Sequence, residues 1–260
     1  MPLNIRTYHE LTAPDASDLP GQIGAQRARL AARLAHVGQV LAVMSGKGGV
    51  GKSYVTAHLA RGFARAGKAV GVLDADLNGP TAARLLQAER SALVVSADAV
   101  SPAMGADGVR VVSMDLLLED GRPLAFRGPT ADRFIWRGAL EAAALREFLA
   151  DVAWGSLDVL LIDLPPGLGR FEELADLLTS PPAVLTVTIP TDESRDAVRR
   201  ALRAAQERGA SLVGIVENMV GDAFPGDAGE ALSSEFGIPL LARVPFHPAP
   251  DTWEALARRL

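Results

Sequence analysis

A glycine-rich segment constrains this chain more than any other feature. Residues 46–53 read Gly-Lys-Gly-Gly-Val-Gly-Lys-Ser and satisfy the pattern G-x-x-x-x-G-K-[ST]. A short apolar run, residues 40–45, precedes the segment as a buried parallel strand would, and a helical pattern follows over 53–66. Glycines allow successive backbone N–H groups to point at phosphate oxygens, and a helix N-terminus adds partial positive charge. The segment therefore predicts a phosphate-binding loop.

The side chains of this loop predict a nucleoside triphosphate, taken as ATP, together with Mg²⁺. We expect Lys52 to reach the β- and γ-phosphates and the Ser53 hydroxyl to complete the magnesium shell. The expected nucleotide-binding residues here are Gly46, Lys47, Gly48, Gly49, Val50, Gly51, Lys52, Ser53 and the adjacent Tyr54. A glycine-rich turn that binds nothing is the alternative, and the complete pattern between a strand and a helix argues against it.

Strand and helix patterns alternate along the chain. Strands are predicted over 40–45, 69–73, 109–114, 157–162, 183–189, 212–216 and 240–244, and helices over 24–37, 53–66, 138–152, 194–208 and 252–260. This alternation predicts an α/β fold with a single doubly wound, mostly parallel sheet and helices on both faces. We expect a leader and helix over 1–37, followed by one phosphate-loop domain over 38–260.

Composition excludes several classes of function. The net charge is −5, so nothing global attracts the chain to nucleic acid or to an anionic membrane. No apolar run approaches the roughly 20 residues that span a bilayer, and the N-terminus lacks a signal-peptide pattern, so we expect a cytoplasmic protein. The sequence contains no cysteine, which removes disulfides and thiolate-bound metal centres built from this chain alone.

Acidic residues follow two of the predicted strands, where ligands bind in open α/β sheets. Asp74 and Asp76 follow the second strand; we expect Asp76 to orient the attacking water and Asp74 to support magnesium. An aspartate-rich turn that caps the next helix is the alternative. Asp163 ends an apolar strand and is expected to hold magnesium through water. Gly167 has no side chain, so its backbone N–H is expected to approach the γ-phosphate.

The loop resembles those of the MinD/ParA group, whose members carry a second lysine just inside the loop. In that group the extra lysine, here Lys47, reaches the nucleotide of the opposite subunit; attraction to the nucleotide of its own subunit is the alternative. The resemblance implies catalytic roles for Lys47, Lys52 and Asp76. It also implies that Asn218 hydrogen-bonds adenine, with termination of a strand as the alternative. Pro245, after the last strand, completes the implied nucleotide-binding set.

From about residue 40 to 248 the chain resembles the Mrp-type branch of that group. The segments that carry this resemblance are DADLNGPT (74–81), IWRG (135–138), WGSLDVLLIDLPPG (154–167) and GIVENM (214–219). The resemblance implies a cytoplasmic ATPase that forms a homodimer around two ATP molecules and takes part in iron–sulfur cluster assembly. Family members hold a bridging cluster through a C-x-x-C pair shortly after the ENM segment.

This sequence departs from the Mrp-type pattern at several positions. After Met219 it reads VGDAFPGDAGEAL, without cysteine, so we expect no iron–sulfur cluster of its own and a protein partner that supplies cysteines. Tyr54, His58 and Arg170 replace the family's threonine, asparagine and aspartate, so we expect slow hydrolysis. Two alternatives stay open: a nucleotide-gated binding module with negligible turnover, and a positioning ATPase acting on membrane or DNA. A positioning ATPase would bind DNA through the arginine-rich helix over 194–208 or membrane through the C-terminal helix over 252–260. We expect the first helix to present a solvated face and the second to pack on the domain.

Overall fold

The computed structural model describes residues 19–77, 79–89, 94–95, 99–116 and 143–260. Its strands are β1 (Val37–Ser45), β2 (Val70–Asp74), β3 (Val94–Val95), β4 (Val100–Ser101), β5 (Ala103–Met104), β6 (Arg110–Val112), β7 (Leu157–Asp163), β8 (Ala183–Thr188), β9 (Leu212–Val220) and β10 (Leu240–Pro245). Its helices are α1 (Leu19–Leu34), α2 (Lys52–Arg65), α3 (Ala82–Leu85), α4 (143–151), α5 (Gly169–Leu177), α6 (Asp192–Glu207), α7 (Ala228–Phe236) and α8 (Thr252–Ala257).

Eight of these strands form one sheet in the order β10-β9-β8-β1-β7-β2-β6-β5. Every neighbouring pair is parallel except β5 with β6, which is antiparallel. β1 lies between β8 and β7, so the glycine-rich loop that follows it emerges near the middle of the sheet's carboxyl edge. The predicted α/β fold with a mostly parallel sheet is confirmed.

Helices cover both faces of the sheet. Leu41 and Val43 of β1 face one apolar core, which includes residues of α2, α3 and α8, whereas Ala42 and Met44 face a second core, which includes residues of α1, α4, α5 and α6. This assignment follows from the two-residue period of a strand, which sends successive side chains to opposite faces. Because β1 is buried on both faces, its sequence reads as a continuous apolar run.

Several element boundaries differ from the sequence-based predictions. The first helix, predicted over 24–37, begins at Leu19 and ends at Leu34, and Val37 instead pairs with Leu157 as the first residue of β1. Strand pairing between residues distant in sequence therefore overrides the local helical pattern. The strand predicted over 109–114 is shorter, because a 3₁₀ turn begins at Met114. Helices α5 and α7 and the antiparallel strands β3, β4 and β5 were not predicted.

Some predictions fall on parts of the chain that the structure does not describe. Residues 1–18 of the predicted leader, residues 138–142 of the predicted helix, the IWRG segment and Asn78 lie outside the described residues. In the part of the chain that is described, no helix combines the length and the apolar character needed to cross a membrane.

Candidate nucleotide-binding site

The phosphate-binding loop connects β1 to α2 and ends at a glycine in the left-handed region. Gly51 is the N-cap residue of α2, with φ of 78° and ψ of 24°, and as a glycine it has no side chain to cap the first turn. The backbone N–H groups of the first helical turn have no partner within the helix, so they are available to an anion. The local sequence thus builds a loop and a helix end suited to phosphate.

A cavity of about 540 Å³ opens above this loop. It is lined by Ser45, Lys47, Gly48, Gly49, Val50, Gly51, Lys52, Ser53, Tyr54, Asp76, Gly79, Thr81, Arg84, Leu85 and Pro166. The structure therefore brings Asp76 to the same cavity as the loop, although the two are separated in sequence by a helix and a strand. Gly46, Asp74, Asp163, Gly167, Asn218 and Pro245 are not among the lining residues.

A buried ion pair lies at the foot of the loop. Lys52 Nζ donates to Asp163 Oδ1 at 2.6 Å, and the two side chains are 6% and 0% exposed. The Thr56 hydroxyl lies 2.9 Å from the same Oδ1. The second carboxylate oxygen, Oδ2, is buried and has no hydrogen-bond partner among the residues that the structure describes. A buried anionic oxygen without a partner costs free energy. This atom is therefore suited to accept a hydrogen bond from a metal-bound water or from a donor that arrives with the ligand.

Thr56 is a residue of this site that the sequence analysis did not identify. Its hydroxyl also lies 3.0 Å from the Lys52 carbonyl, one helical turn earlier. The spacing of four residues places Thr56 on the same face of α2 as Lys52, and this was the available signal. Without Asp163 in view, however, a threonine in a helix reads as an ordinary helical residue.

Asp74 caps a helix in this structure, as in the alternative left open above. Its Oδ2 accepts the backbone N–H groups of Thr81 and Ala82, each at 2.9 Å. Its Oδ1 accepts the N–H of Asp76 at 3.2 Å. Burial, and after it the negative charge of Asp163, together raise the pKa of Asp74 to about 7. Asp74 therefore anchors the start of α3 from a fully buried position.

Asp76 is only partly buried and lies on the cavity wall. Its Oδ1 accepts the N–H of Gly79 at 3.2 Å, a contact within the turn. Asp76 is thus the carboxylate of this segment that has access to the cavity, whereas Asp74 lies beneath it.

Two expected nucleotide contacts lie outside the cavity wall. The Gly167 N–H donates to the Ser45 carbonyl at 3.2 Å, which ties the segment after β7 to the end of β1. Contact of this N–H with a γ-phosphate would require that bond to break. Pro245 is exposed and pairs in register with Val220 at the ends of β10 and β9.

Asn218 contacts the phosphate-binding loop. It is 4% exposed, and its Nδ2 donates to the Val50 carbonyl at 2.9 Å. A Cβ atom added at Gly51 would lie 2.3 Å from the same Nδ2, so Asn218 fills the space beside that glycine. The adjacent Glu217 is fully buried and accepts the Gly229 N–H at 2.7 Å. The end of β9 is therefore held tightly against the loop, and the adenine contact implied for Asn218 stays a prediction.

Three aromatic rings lie along α2 and α8. Tyr54 and His58 have ring centroids 4.0 Å apart, and Trp253 lies 5.7 Å and 5.3 Å from them. Burial lowers the pKa of His58, and Arg61 and Arg65 lower it further. Trp253, together with Leu256 and Ala257, is buried in the core shared with α2. The C-terminal helix thus packs on the domain, as expected.

The arginines of α6 are largely paired with acids. Arg199 bonds both Asp196 and Glu235, and Arg203 also reaches Glu235, within 3.1 Å in each case. Arg195 and Arg208 pair with Asp192 and Asp176 at 3.0 and 2.6 Å. Such pairing leaves less positive charge for phosphates than the sequence of α6 indicates.

The parallel sheet and the glycine-rich loop between β1 and α2 define a P-loop nucleoside-triphosphatase fold. A family model described as ParA, NUBPL iron-transfer P-loop NTPase, matches residues 36–254. The chain belongs to this family.

Three similar proteins illustrate the relationship. An iron–sulfur cluster carrier protein of Saccharolobus solfataricus is 34% identical over 240 residues, covering 88% of this chain and 78% of the relative. The cytosolic Fe–S cluster assembly factor NUBP2 of Bos taurus is 36% identical, covering 83% of this chain and 82% of its own length. The solved structure of a nucleotide-binding protein from Archaeoglobus fulgidus, in complex with ADP, superimposes with a TM-score of 0.69 at 32% identity, covering 90% and 91% of the two chains.

Proposed function

We propose that this chain is a magnesium-dependent ATPase with slow turnover. In this proposal it forms a homodimer around two ATP molecules and acts on a protein partner in iron–sulfur cluster assembly. The names of the relatives support the iron–sulfur part of the proposal, and the ADP complex of the Archaeoglobus fulgidus protein supports nucleotide binding. The name of the bovine relative further supports a cytoplasmic location. We assign the activity to the domain expected over residues 38–260, together with Val37, which begins β1, and with α1, whose Leu30 is buried in one of its cores.

The observation that carries this proposal is the buried contact of Lys52 with Asp163 beneath the cavity above the loop. The second oxygen of Asp163 is buried without a hydrogen-bond partner among the described residues, which fits a partner that arrives with the nucleotide. No group of three or more histidine, aspartate or glutamate side chains within the described ranges is placed to hold a metal. A magnesium ion here would therefore depend on the nucleotide and on water for most of its ligands.

In this proposal, different residues bind the phosphates, hold magnesium and orient the attacking water. Backbone N–H groups of the loop and of the first turn of α2 hold the phosphates, and Lys52 places its charge against the terminal ones. Ser53 and Asp163 would hold magnesium, which supplies charge neutralisation at the phosphates when bound. Asp76, on the wall of the cavity, orients a water for attack. Lys47 also lines the cavity of its own chain, and we retain the proposal that it reaches the nucleotide of a second subunit.

Nucleotide binding is tested by calorimetry with Mg-ATP on the wild type and on Lys52→Ala. Loss of the phosphate-facing charge should weaken binding about tenfold or more, which is about 1.4 kcal/mol. The substitution also leaves the Asp163 carboxylate buried without its counter-charge, which destabilises the fold by about 3–5 kcal/mol. The folded fraction must therefore be measured on the same samples by circular dichroism. Equal affinity for the two proteins would refute the assignment of Lys52.

Hydrolysis is tested separately by phosphate release from the wild type and from Asp76→Asn. The variant should retain ATP, lose turnover and accumulate any ATP-dependent dimer, which light scattering detects. Asp115→Asn, which changes an aspartate outside the cavity, is the matched control. Unchanged turnover in Asp76→Asn would show that another group positions the water.

The absence of cysteine from the sequence shapes the iron–sulfur part of the proposal. A [4Fe–4S] centre is held by thiolates, with histidine as an occasional ligand. We propose that the purified homodimer does not retain a cluster and that a cysteine-bearing partner carries it. After anaerobic treatment with iron and sulfide and desalting, the protein should be colourless. A brown species with stoichiometric iron and sulfide per dimer would contradict this.

A nucleotide-gated binding module with negligible turnover is the second candidate. It is favoured by Tyr54, whose ring packs on His58 and Trp253 at the position where the resemblance implies a small hydroxyl-bearing residue. Wild-type protein that binds Mg-ATP tightly and releases no phosphate would select this candidate. The ion pairs of α6 and the burial of α8 support either candidate over a positioning ATPase on DNA or membrane.

A further inference from the structure

Arg84 is a cation of the phosphate cavity that neither the sequence motifs nor the proposed mechanism uses. It belongs to α3 and lines the cavity together with Lys47, Lys52 and Asp76. Its side chain is exposed, and its guanidinium makes no hydrogen bond or ion pair with any residue that the structure describes. Most of the arginines of α6, by contrast, are paired with carboxylates.

The position of Arg84 is fixed by buried groups. The carboxylate of Asp74 binds the N–H groups of Thr81 and Ala82, so the start of α3 is attached to the end of β2. Ala82 and Ala83 are buried in the core that also contains α2. Because α3 is held at its start and along one side, the backbone of Arg84 has a fixed position beside the cavity.

The charges around the cavity indicate that Arg84 is placed to bind phosphate. A nucleoside triphosphate brings several negative charges, whereas Lys52 of the loop already has Asp163 at 2.6 Å. Asp76 adds a further negative charge to the wall. A guanidinium is planar, stays charged at all relevant pH values and presents donors that match two phosphate oxygens at once. Arg84 has these properties and no competing carboxylate among the described residues.

We propose that Arg84 binds phosphate oxygens of the nucleotide held by its own chain. This inference rests on the proposed nucleotide-binding function and adds a phosphate-binding residue that lies outside the loop. Through α3 and Asp74, it also connects the bound phosphates to the segment that carries Asp76.

The test compares Arg84→Ala and Arg84→Lys with the wild type, and uses Arg200→Ala as the matched control, since Arg200 is an exposed arginine of α6 away from the cavity. Calorimetry measures Mg-ATP and magnesium with inorganic triphosphate at low and high salt. Arg84→Ala should bind both ligands about tenfold more weakly, with a smaller dependence on salt, because a charge-assisted contact is lost. Arg84→Lys should fall between Arg84→Ala and the wild type, and Arg200→Ala should match the wild type.

Two results would overturn the inference while leaving the proposed function intact. One is Arg84→Ala binding both ligands as tightly as the wild type. The other is weaker binding of Mg-ATP with unchanged binding of inorganic triphosphate, because Arg84 would then contact the nucleoside rather than the phosphates. Wild-type protein that binds neither ligand would instead reject the proposed function and this inference together. Melting temperatures of the free proteins identify any variant that does not fold.

Discussion

The contact between Asn218 and the phosphate-binding loop leads to a prediction that separates two roles for one side chain. The change is Asn218→Leu, because leucine has the same branching at Cγ and carries no donor. The wild-type Nδ2 donates to the Val50 carbonyl at 2.9 Å in a site where Asn218 is 4% exposed. If Asn218 positions the loop, its loss should affect every ligand that the loop binds, whatever base that ligand carries.

The expected magnitude follows from this geometry. A buried carbonyl left without its donor costs about 1–3 kcal/mol. If this cost falls on the conformation of the loop that binds phosphate, affinity should fall about 5- to 150-fold. Calorimetry with Mg-ATP, Mg-GTP and magnesium with inorganic triphosphate should then show similar factors for all three ligands. Leu212→Ala, at the opposite end of β9, controls for general loosening of that strand.

A different pattern would refute this reasoning. If Asn218→Leu binds inorganic triphosphate as tightly as the wild type but binds Mg-ATP more weakly, Asn218 recognises the base, as the family resemblance implies. If all three affinities are unchanged, the hydrogen bond to Val50 has no role in binding.

Two further predictions concern stability. Gly51→Ala should lower the free energy of unfolding in urea by more than Gly67→Ala does. Both glycines have φ near 80°, a conformation that costs alanine about 1 kcal/mol or more. Of these two positions, only at Gly51 would the new Cβ lie close to another atom, Asn218 Nδ2 at 2.3 Å. Equal losses would show that the loop shifts freely at Gly51. Asp74 has a folded pKa of about 7, above its ordinary 3.8, so the stability it contributes is complete below about pH 4 and is lost as pH rises to about 7. Between pH 5 and pH 8 the wild type should therefore lose about 3 kcal/mol more than Asp74→Asn in urea titrations, and parallel losses would contradict the raised pKa.

Local patterns predicted much of the fold. The apolar run of β1 and the glycines after it are features of neighbouring residues, and they led to the strand, the loop and α2. The same holds for Asp163, which an apolar strand places at the carboxyl edge of a parallel sheet. The helices α5 and α7 were missed because each follows a segment rich in glycine, proline or aspartate, which locally indicates a loop.

The partners of the buried polar groups could not be predicted in this way. For Asp74 the sequence left open a magnesium-supporting role and the capping of the next helix, and only the structure shows that its oxygens accept N–H groups at the start of α3. Asn218 was expected at adenine, and its amide donates to Val50, 168 residues earlier. Arg84 and Thr56 belong to no motif. Thr56 lies one turn after Lys52 in α2, but its contact with Asp163 and the position of Arg84 on the cavity wall depend on how the chain folds.

The sequence by itself determined the class of this protein: strand–helix alternation and the loop at 46–53 specify a P-loop fold, because short-range periodicity and glycine conformations suffice to define them. The absence of cysteine, and with it of thiolate ligands from this chain, is likewise known from the sequence alone. Only the tertiary structure decided which buried donor meets which acceptor. Lys52 pairs with Asp163, 111 residues later, and one oxygen of Asp163 has no partner in the described part of the chain. Such pairings depend on which strands lie side by side, since a buried polar group must be satisfied by whatever the fold places beside it.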